Sequence, residues 1–252
     1  MRLGIIGVGH LAAAILGGLR RAGWAADGVM LSPRGQGPDL AARHGFALAA
    51  DNAALVRACD LVLLAVRPGD AAGAVAGLPW REGQVLMTAC AGVPTWRLAP
   101  QAGPARVVRI MPITASELGA SPTLVYPMVP QVAAFLEAIG STIALEAEEQ
   151  FDAATVSAAI YGWAQALIRG GADWTEAQGL DAATARQLVA RTFVAAGRLV
   201  AEKDTPMEDL LTSIATPGGI TEAGLIHLRE AGVPEAWDGA CEVVMRKLRP
   251  GR

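Results

Sequence analysis

Apolar positions along the chain fall into two textures. Up to about residue 145 they come as short continuous runs, broken by glycine- and proline-marked turns. Residues 2–6, 28–31, 60–66, 84–88, 106–110, 123–126 and 142–145 read as strands. A run such as Leu61-Val62-Leu63-Leu64-Ala65-Val66 is apolar at every position, as a parallel strand covered on both faces should be. Helices alternate with these strands over 13–21, 39–44, a stretch capped by Asp51 that ends near Ala58, and 131–139. Strands and helices alternating at this length predict a doubly wound α/β sheet. From Glu148 the strand-like runs vanish, and helices are predicted over 148–172, 181–202, 206–213, 221–231 and 234–248. The expected division is therefore residues 1–147, an α/β domain, and 148–252, an all-α domain. The helix over 182–200 carries Leu188, Val189, Phe193, Val194 and Leu199, more apolar surface than so small a bundle can bury. A homodimer through the helical domain is expected.

Composition narrows the class. Hydrophobic residues make up 52% of the 252, yet aromatics only 5%, which favours helices packed closely through alanine and glycine. A formal net charge of −3 invites neither nucleic acid nor an anionic membrane surface. No apolar run approaches the ~18–20 residues of a membrane span, and no basic segment precedes an apolar leader. Cys59, Cys90 and Cys241 are odd in number and form no C-x-x-C pair, so they read as reduced thiols rather than a disulfide frame or zinc site. No metal is expected. The expectation is a soluble cytoplasmic protein.

The candidate chemistry begins at the N-terminus. Gly7-Val8-Gly9-His10-Leu11-Ala12 follows the first strand and opens the first helix, with G-x-G-x-x-A spacing. Gly7 suits a tight turn, Gly9 lets the backbone approach a pyrophosphate, and Ala12 is small enough for helix–strand packing. The free N–H groups and positive dipole end of the helix would face the phosphates. The alternative is a tight structural turn that binds nothing. The second strand ends in Ser32-Pro33-Arg34 with no acid to take the adenine ribose hydroxyls, and Asp27 precedes the strand. Ser32 and Arg34 suit a 2′-phosphate, so NADP(H) is preferred and NAD(H) is the alternative cofactor. A solvated loop arginine is the plainer reading of Arg34. Ala65, Val66, Arg67 and Pro68 lie at the carboxyl edge of the sheet, where open α/β folds bind ligands. In the second half, Thr216-Pro217-Gly218-Gly219-Ile220-Thr221 makes a bare turn running into a helix, suited to a small carboxylate. A plain interhelical turn with a threonine N-cap is an equal reading.

The order of these segments resembles the pyrroline-5-carboxylate reductase family over nearly the whole chain. Gly7 to Ala12 resembles the family's G-x-G-x-M-A, Ser32-Pro33-Arg34 its S-N-R, and Asp51-Asn52-Ala53 its D-N-A. Ala65 to Pro68 resembles A-V-K-P, Ala89 to Val93 resembles A-A-G-I, and Arg109 to Pro112 resembles R-x-M-P. Thr216 to Leu225 resembles S-P-G-G-T-T-x-A-G-L, the most specific motif of the set. The resemblance implies a Rossmann domain followed by a helical dimerisation domain, with the active site between them completed by the partner subunit. It also implies NAD(P)H-dependent reduction of a cyclic imine. Gly7, Val8, Gly9, His10, Leu11, Ser32, Arg34, Asn52 and Ala65 to Pro68 would then bind cofactor, with Ala89, Ala91, Met111 and Pro112 around the nicotinamide. Ser157, Thr216, Gly218, Gly219, Ile220 and Thr221 would surround the substrate. Tyr161 is the candidate proton donor beside Thr221, its plainer reading being a buried tyrosine satisfied elsewhere.

Three departures from the family pattern bear on the substrate. Ile113-Thr114-Ala115 stands where the family has N-T-P. Ser157-Ala158-Ala159-Ile160-Tyr161-Gly162-Trp163 replaces S-G-S-G-P-A-Y, so this stretch should be regularly helical. Ile220 replaces the threonine that donates to the ring nitrogen. Losing such a donor costs ~1–3 kcal/mol, and isoleucine makes the pocket more apolar. Reduction of pyrroline-5-carboxylate, reduction of a bulkier imine, and an inactive NADP-binding homologue all remain consistent with the sequence. The resemblance also leaves open a dimer or a larger ring of dimers.

Overall fold

The computed structural model describes residues 1–249. Two compact units are present: one formed by Met1–Ala158 with residues 247–249, the other by Ala159–Arg246.

The first unit is built on eight strands: β1 (Leu3–Ile6), β2 (Val29–Leu31), β3 (Ala47–Leu48), β4 (Leu61–Leu64), β5 (Val85–Thr88), β6 (Arg106–Met111), β7 (Thr123–Tyr126) and β8 (Thr142–Ala144). Their spatial order is β3-β2-β1-β4-β5-β6-β7-β8. All neighbours run parallel except β6 and β7. The helices are α1 (His10–Arg21), α2 (Gly37–His44), α3 (Asn52–Ala58), α4 (Ala71–Val75), α5 (Thr95–Ala102) and α6 (Ala133–Ile139). The doubly wound sheet expected from the alternation is present. β1 pairs with β2 on one side and β4 on the other, Leu3 aligning with both Val29 and Leu61. That reversal of strand order opens a crevice at the carboxyl ends of β1 and β4.

Period-two alternation explains both faces. Leu3, Ile5, Leu61, Leu63, Val85 and Met87 point to one side and pack with Ile15, Leu16 and Leu19 of α1 and Phe135 of α6. Ile6, Val62, Leu64 and Leu86 point to the other and meet Leu55 and Val56 of α3, Val75 and Leu98. Each fully buried leucine of β4 contributes ~1.5–3 kcal/mol relative to exposure. One polar side chain is built into this core. Gln84 donates to the carbonyls of Val56 and Cys59, both at 2.7 Å, and accepts the Arg81 N–H at 2.7 Å.

The second unit is helical. α7 (Phe151–Ala177) starts in the first unit, and α8 (Ala182–Glu202), α9 (Met207–Ile214), α10 (Ile220–Glu230) and most of α11 (Val233–Leu248) follow. Asp181 caps α8 by accepting the Thr184 N–H at 3.0 Å. Trp163 and Trp237 meet edge to face, their ring centres 5.3 Å apart, in an apolar groove with Leu167 and Ala240. Among the described residues of this unit, Ala185 and Leu210 are the only buried hydrophobic side chains.

Several elements differ from the sequence expectation. The two-residue β3 is too short to show a pattern. α4 is five alanine, glycine and valine residues without an apolar period, and α5 carries Pro100 inside it. α7 begins after a 3-10 turn at Glu148–Gln150 and continues to Ala177. α10 starts one residue earlier than expected, at Ile220. Gly219 is therefore its N-cap, no side chain caps it, and Thr221 lies inside the first turn. Asp51 does cap α3, accepting the Ala54 N–H at 2.6 Å.

Candidate cofactor cleft and substrate turn

The crevice above β1 is shaped by its glycines. Gly7 has φ +91°, and a Cβ there would lie 2.7 Å from the Ala65 carbonyl, so only glycine fits. Around Gly9 the space is open, with nothing within 4 Å of a Cβ position. Gly9 is the N-cap of α1; no side chain caps the helix and no acid stands in its first turn. The first N–H groups of α1 are thus left for an anion. The Val8 side chain is buried in the core while its carbonyl accepts the Gln36 N–H at 2.9 Å, tying the loop after β2 to the glycine turn. His10 is exposed as the first residue of α1, and Leu11 is half-buried against the core.

A cleft of about 650 Å³ runs from this turn and is lined by Gly7, Ser32, Arg34, Asn52, Val66 and Asp70, among others. Ser32 is buried at 2% exposure, and its hydroxyl donates to Asn52 Oδ1 at 2.9 Å. Ser32 therefore orients the Asn52 amide, while exposed Arg34 lines the same cleft. Arg67 and Pro68 are exposed just beyond β4. Asp70 and the small wall of Gly69, Gly73 and Ala74 were missed from sequence. The available signal was Pro68-Gly69-Asp70 directly after a buried strand.

The ends of β5 and β6 bring a second set together. Ala89 packs on the main core, Pro112 is buried, and Ala91 and Met111 join a small cluster with Leu124 and Phe151. Between them Cys90 is buried, its thiol donating to the Val66 carbonyl at 3.3 Å. Burial pushes this thiol above its usual pKa, so it stays protonated at neutral pH.

The substrate candidates divide between the units. Ser157 lies in the first, its hydroxyl turned back to the Ala154 carbonyl at 2.7 Å, and Tyr161 and the 216–221 turn lie in the second. α7 is unbroken through 157–163, as loss of the family's glycines and proline predicts. In the turn, the Gly219 N–H donates to the Thr216 carbonyl at 2.9 Å, and the Gly218 N–H donates to Glu222 Oε2 at 2.6 Å. Both glycine N–H groups are thus engaged locally. Thr221 is half-buried, Thr216 is exposed, and Ile220 is 94% exposed at the head of α10.

A mostly parallel sheet with a glycine turn, an uncapped first helix and an arginine-flanked cleft defines a dinucleotide-binding protein, here carrying a separate helical unit. Residues 148–250 match the pyrroline-5-carboxylate reductase dimerisation family, and residues 2–92 match the family described as NADP oxidoreductase, coenzyme F420-dependent. The chain is 30% identical to the pyrroline-5-carboxylate reductase of Pseudomonas aeruginosa, over 92% of this chain and 89% of that one. It is 28% identical to the enzyme of that name from Methanosarcina acetivorans, over 95% and 93% of the two chains. The chain belongs to the pyrroline-5-carboxylate reductase family. Among solved structures, 1-pyrroline-5-carboxylate reductase from Streptococcus pyogenes superposes with a TM-score of 0.86 at 25% identity, covering 99% of this chain and 98% of that one. The NADP-bound Plasmodium falciparum pyrroline carboxylate reductase shares the fold, with a TM-score of 0.87 at 22% identity over 99% and 97%.

Proposed function

We propose that this protein is an NADPH-dependent reductase of a cyclic imine, with pyrroline-5-carboxylate, reduced to proline, as the first substrate to test. The observation that carries the reading is the cleft lined by Gly7, Ser32, Arg34 and Asn52, which sets a cation and hydrogen-bonding side chains beside the glycine turn. Arg34 takes the 2′-phosphate by charge-assisted hydrogen bonds, with the Ser32–Asn52 pair fixing the ribose side. Gly7 to Leu11 hold the pyrophosphate through backbone N–H groups, and Ala65 to Pro68 line the same edge. The cofactor supplies the hydride, and the protein's share is to position the imine and place a proton on its nitrogen. Tyr161 and Thr221 are the candidate proton donor and orienting hydroxyl. Ser157, Thr216, Gly218, Gly219 and Ile220 complete the proposed substrate set. The test is oxidation of NADPH by the purified protein with pyrroline-5-carboxylate, with NADH in parallel. Turnover with NADPH, and less with NADH, is expected; tight NADPH binding without turnover would remove pyrroline-5-carboxylate as the substrate.

A second reading is favoured by Ile220, which presents a bare apolar side chain where the family presents a hydroxyl. A bulkier or less polar imine suits that position, and an inactive NADP-binding homologue is the limiting case.

The functional division at residue 147 belongs to the same proposal, supported by the start of the dimerisation match at residue 148. So does a homodimer through the helical unit, or a larger ring built from it. Support comes from that unit's exposed apolar side chains, among them Trp174, Leu188, Val194 and Met207. No helix among the described residues is long and apolar enough to cross a membrane. A cytoplasmic setting is proposed from the unpaired cysteines Cys59, Cys90 and Cys241.

A further inference from the structure

The first unit carries a buried cation for which neither the cofactor cleft nor the substrate turn accounts. Arg109, on β6, is 2% exposed. Its two terminal nitrogens lie 3.3 Å from Glu148 and 2.8 Å from Asp152, and its guanidinium stacks 4.1 Å from the centre of the Phe151 ring. Glu148 is shared with another segment. Its carboxylate oxygens accept the N–H and the hydroxyl of Thr95, each at 2.6 Å, at the first residue of α5. Asp152 is shared too, its second oxygen accepting from Arg249 Nε at 3.3 Å. Strand β6, the start of α5, the head of α7 and the residue after α11 are thus held by one ionic cluster.

The cluster stands directly behind the residues assigned above to the nicotinamide side. Phe151, under the guanidinium, packs with Met111 and Leu124, and Ala91 rests against the same group. The loop carrying Ala91 is fastened at both ends. Ala89 donates its N–H to the Leu64 carbonyl at 2.9 Å, and Thr95 is held by Glu148. In its middle, Gly92 has φ +69° and lies so close to the Leu248 carbonyl that a Cβ would approach to 2.8 Å. A buried ionic network is seldom the most stabilising filling for such a space, since apolar side chains of similar volume serve as well or better. What it provides is a fixed geometry, because a stacked arginine forked between two carboxylates has one arrangement that satisfies every partner.

We propose that Arg109, Glu148 and Asp152 are positioning residues that hold the Ala91–Met111 wall at the nicotinamide end of the cofactor site. They act through Phe151 and Thr95 and touch no reactant. The proposal rests on the cofactor reading above, and two probes separate the two. 2′,5′-ADP reports the adenosine end alone, whereas NADPH reports both ends. Affinities of the full chain for each are measured by calorimetry for wild type, Arg109→Lys, and the near-isosteric Glu148→Gln, with circular dichroism to establish folding.

Loss of one charge-assisted bond corresponds to about tenfold in affinity. Both variants are expected to bind NADPH about 5–10-fold more weakly while 2′,5′-ADP stays within about twofold. Parallel loss of both affinities, or no change in either, would overturn the positioning role. Should Arg109→Lys not fold, Glu148→Gln decides alone, since it keeps the shape and one acceptor oxygen for the Thr95 N–H while the charge is lost and an amide NH2 faces the Thr95 hydroxyl. Wild type that binds neither probe would overturn the cofactor reading itself, and this proposal with it.

Discussion

The two compact units of this chain solve the burial problem in opposite ways. The first closes its own core: the strand residues Leu61 to Leu64 are wholly buried, and helices cover both faces of the sheet. The second leaves Leu188, Val194, Met207, Leu211 and Ile214 open, and buries only Ala185 and Leu210 among its described hydrophobic side chains. A helical hairpin array with so little interior does not offset the entropy of ordering its chain. The lesson is that the first unit closes its own core, whereas the second leaves open the apolar surface that the proposed homodimer would cover.

The same contrast holds for chemistry. In the first unit Gly7, Ser32, Arg34, Asn52 and Val66, all proposed to hold cofactor, line one cleft. In the second, the turn that should receive substrate has lost its family threonine to Ile220 and satisfies its two glycine N–H groups locally. The proposed cofactor residues follow the family pattern; the proposed substrate residues depart from it at Ile220.

The sharpest way to break the comparison is a charge on the open face. Val194→Glu is expected to abolish dimerisation, reading as a monomer by light scattering, while 2′,5′-ADP still binds. Leu63→Ala tests the other side, creating a cavity in a self-contained core. A loss of ~2–5 kcal/mol in denaturant unfolding is expected. Arg34→Ser sharpens the cofactor half: NADPH affinity should fall ~10–100-fold, the equivalent of ~1.5–3 kcal/mol, with NADH affinity unchanged. Ile220→Thr sharpens the substrate half. A restored donor should raise kcat/KM for pyrroline-5-carboxylate by ~1–3 kcal/mol, or about 5–150-fold. If cofactor binds normally and turnover does not rise, the missing hydroxyl is not what distinguishes the site.

The smallest effect concerns Asp60. The Arg2 backbone N–H, at 3.0 Å, and then the Arg81 side chain, at 2.7 Å, hold its carboxyl below the usual range. A folded-state pKa below the unfolded one means that the stabilisation is present above the unfolded pKa. It is lost as pH falls through the folded value. For so exposed a pair the amount is ~0.2–1 kcal/mol, seen as a flatter acid limb of stability in Asp60→Asn.

Much of this was legible because the physics was local. Continuous apolar runs marked β4 and β5, Asp51 announced the α3 cap, and the glycine spacing marked the turn over β1. What escaped had no local signature. β3 is two residues that become a strand only because β2 lies beside them. The antiparallel turn of β7 against β6 is a tertiary choice. Ser32 and Asn52 were each named for the cofactor, but the hydrogen bond that joins them spans twenty positions of sequence. Arg109 was visible only as part of a motif, because its partners Glu148 and Asp152 lie about forty residues away. In the second unit the apolar excess was legible, but a single sequence does not state which side chains a second copy would cover.

Sedimentation velocity of the full chain, run from high to low protein concentration, tests the central claim most directly. A dimer, or a larger even-numbered assembly, that persists at micromolar protein is expected. A single folded monomer at every concentration would show that the helical unit stands alone, and would contradict the contrast on which this account is built.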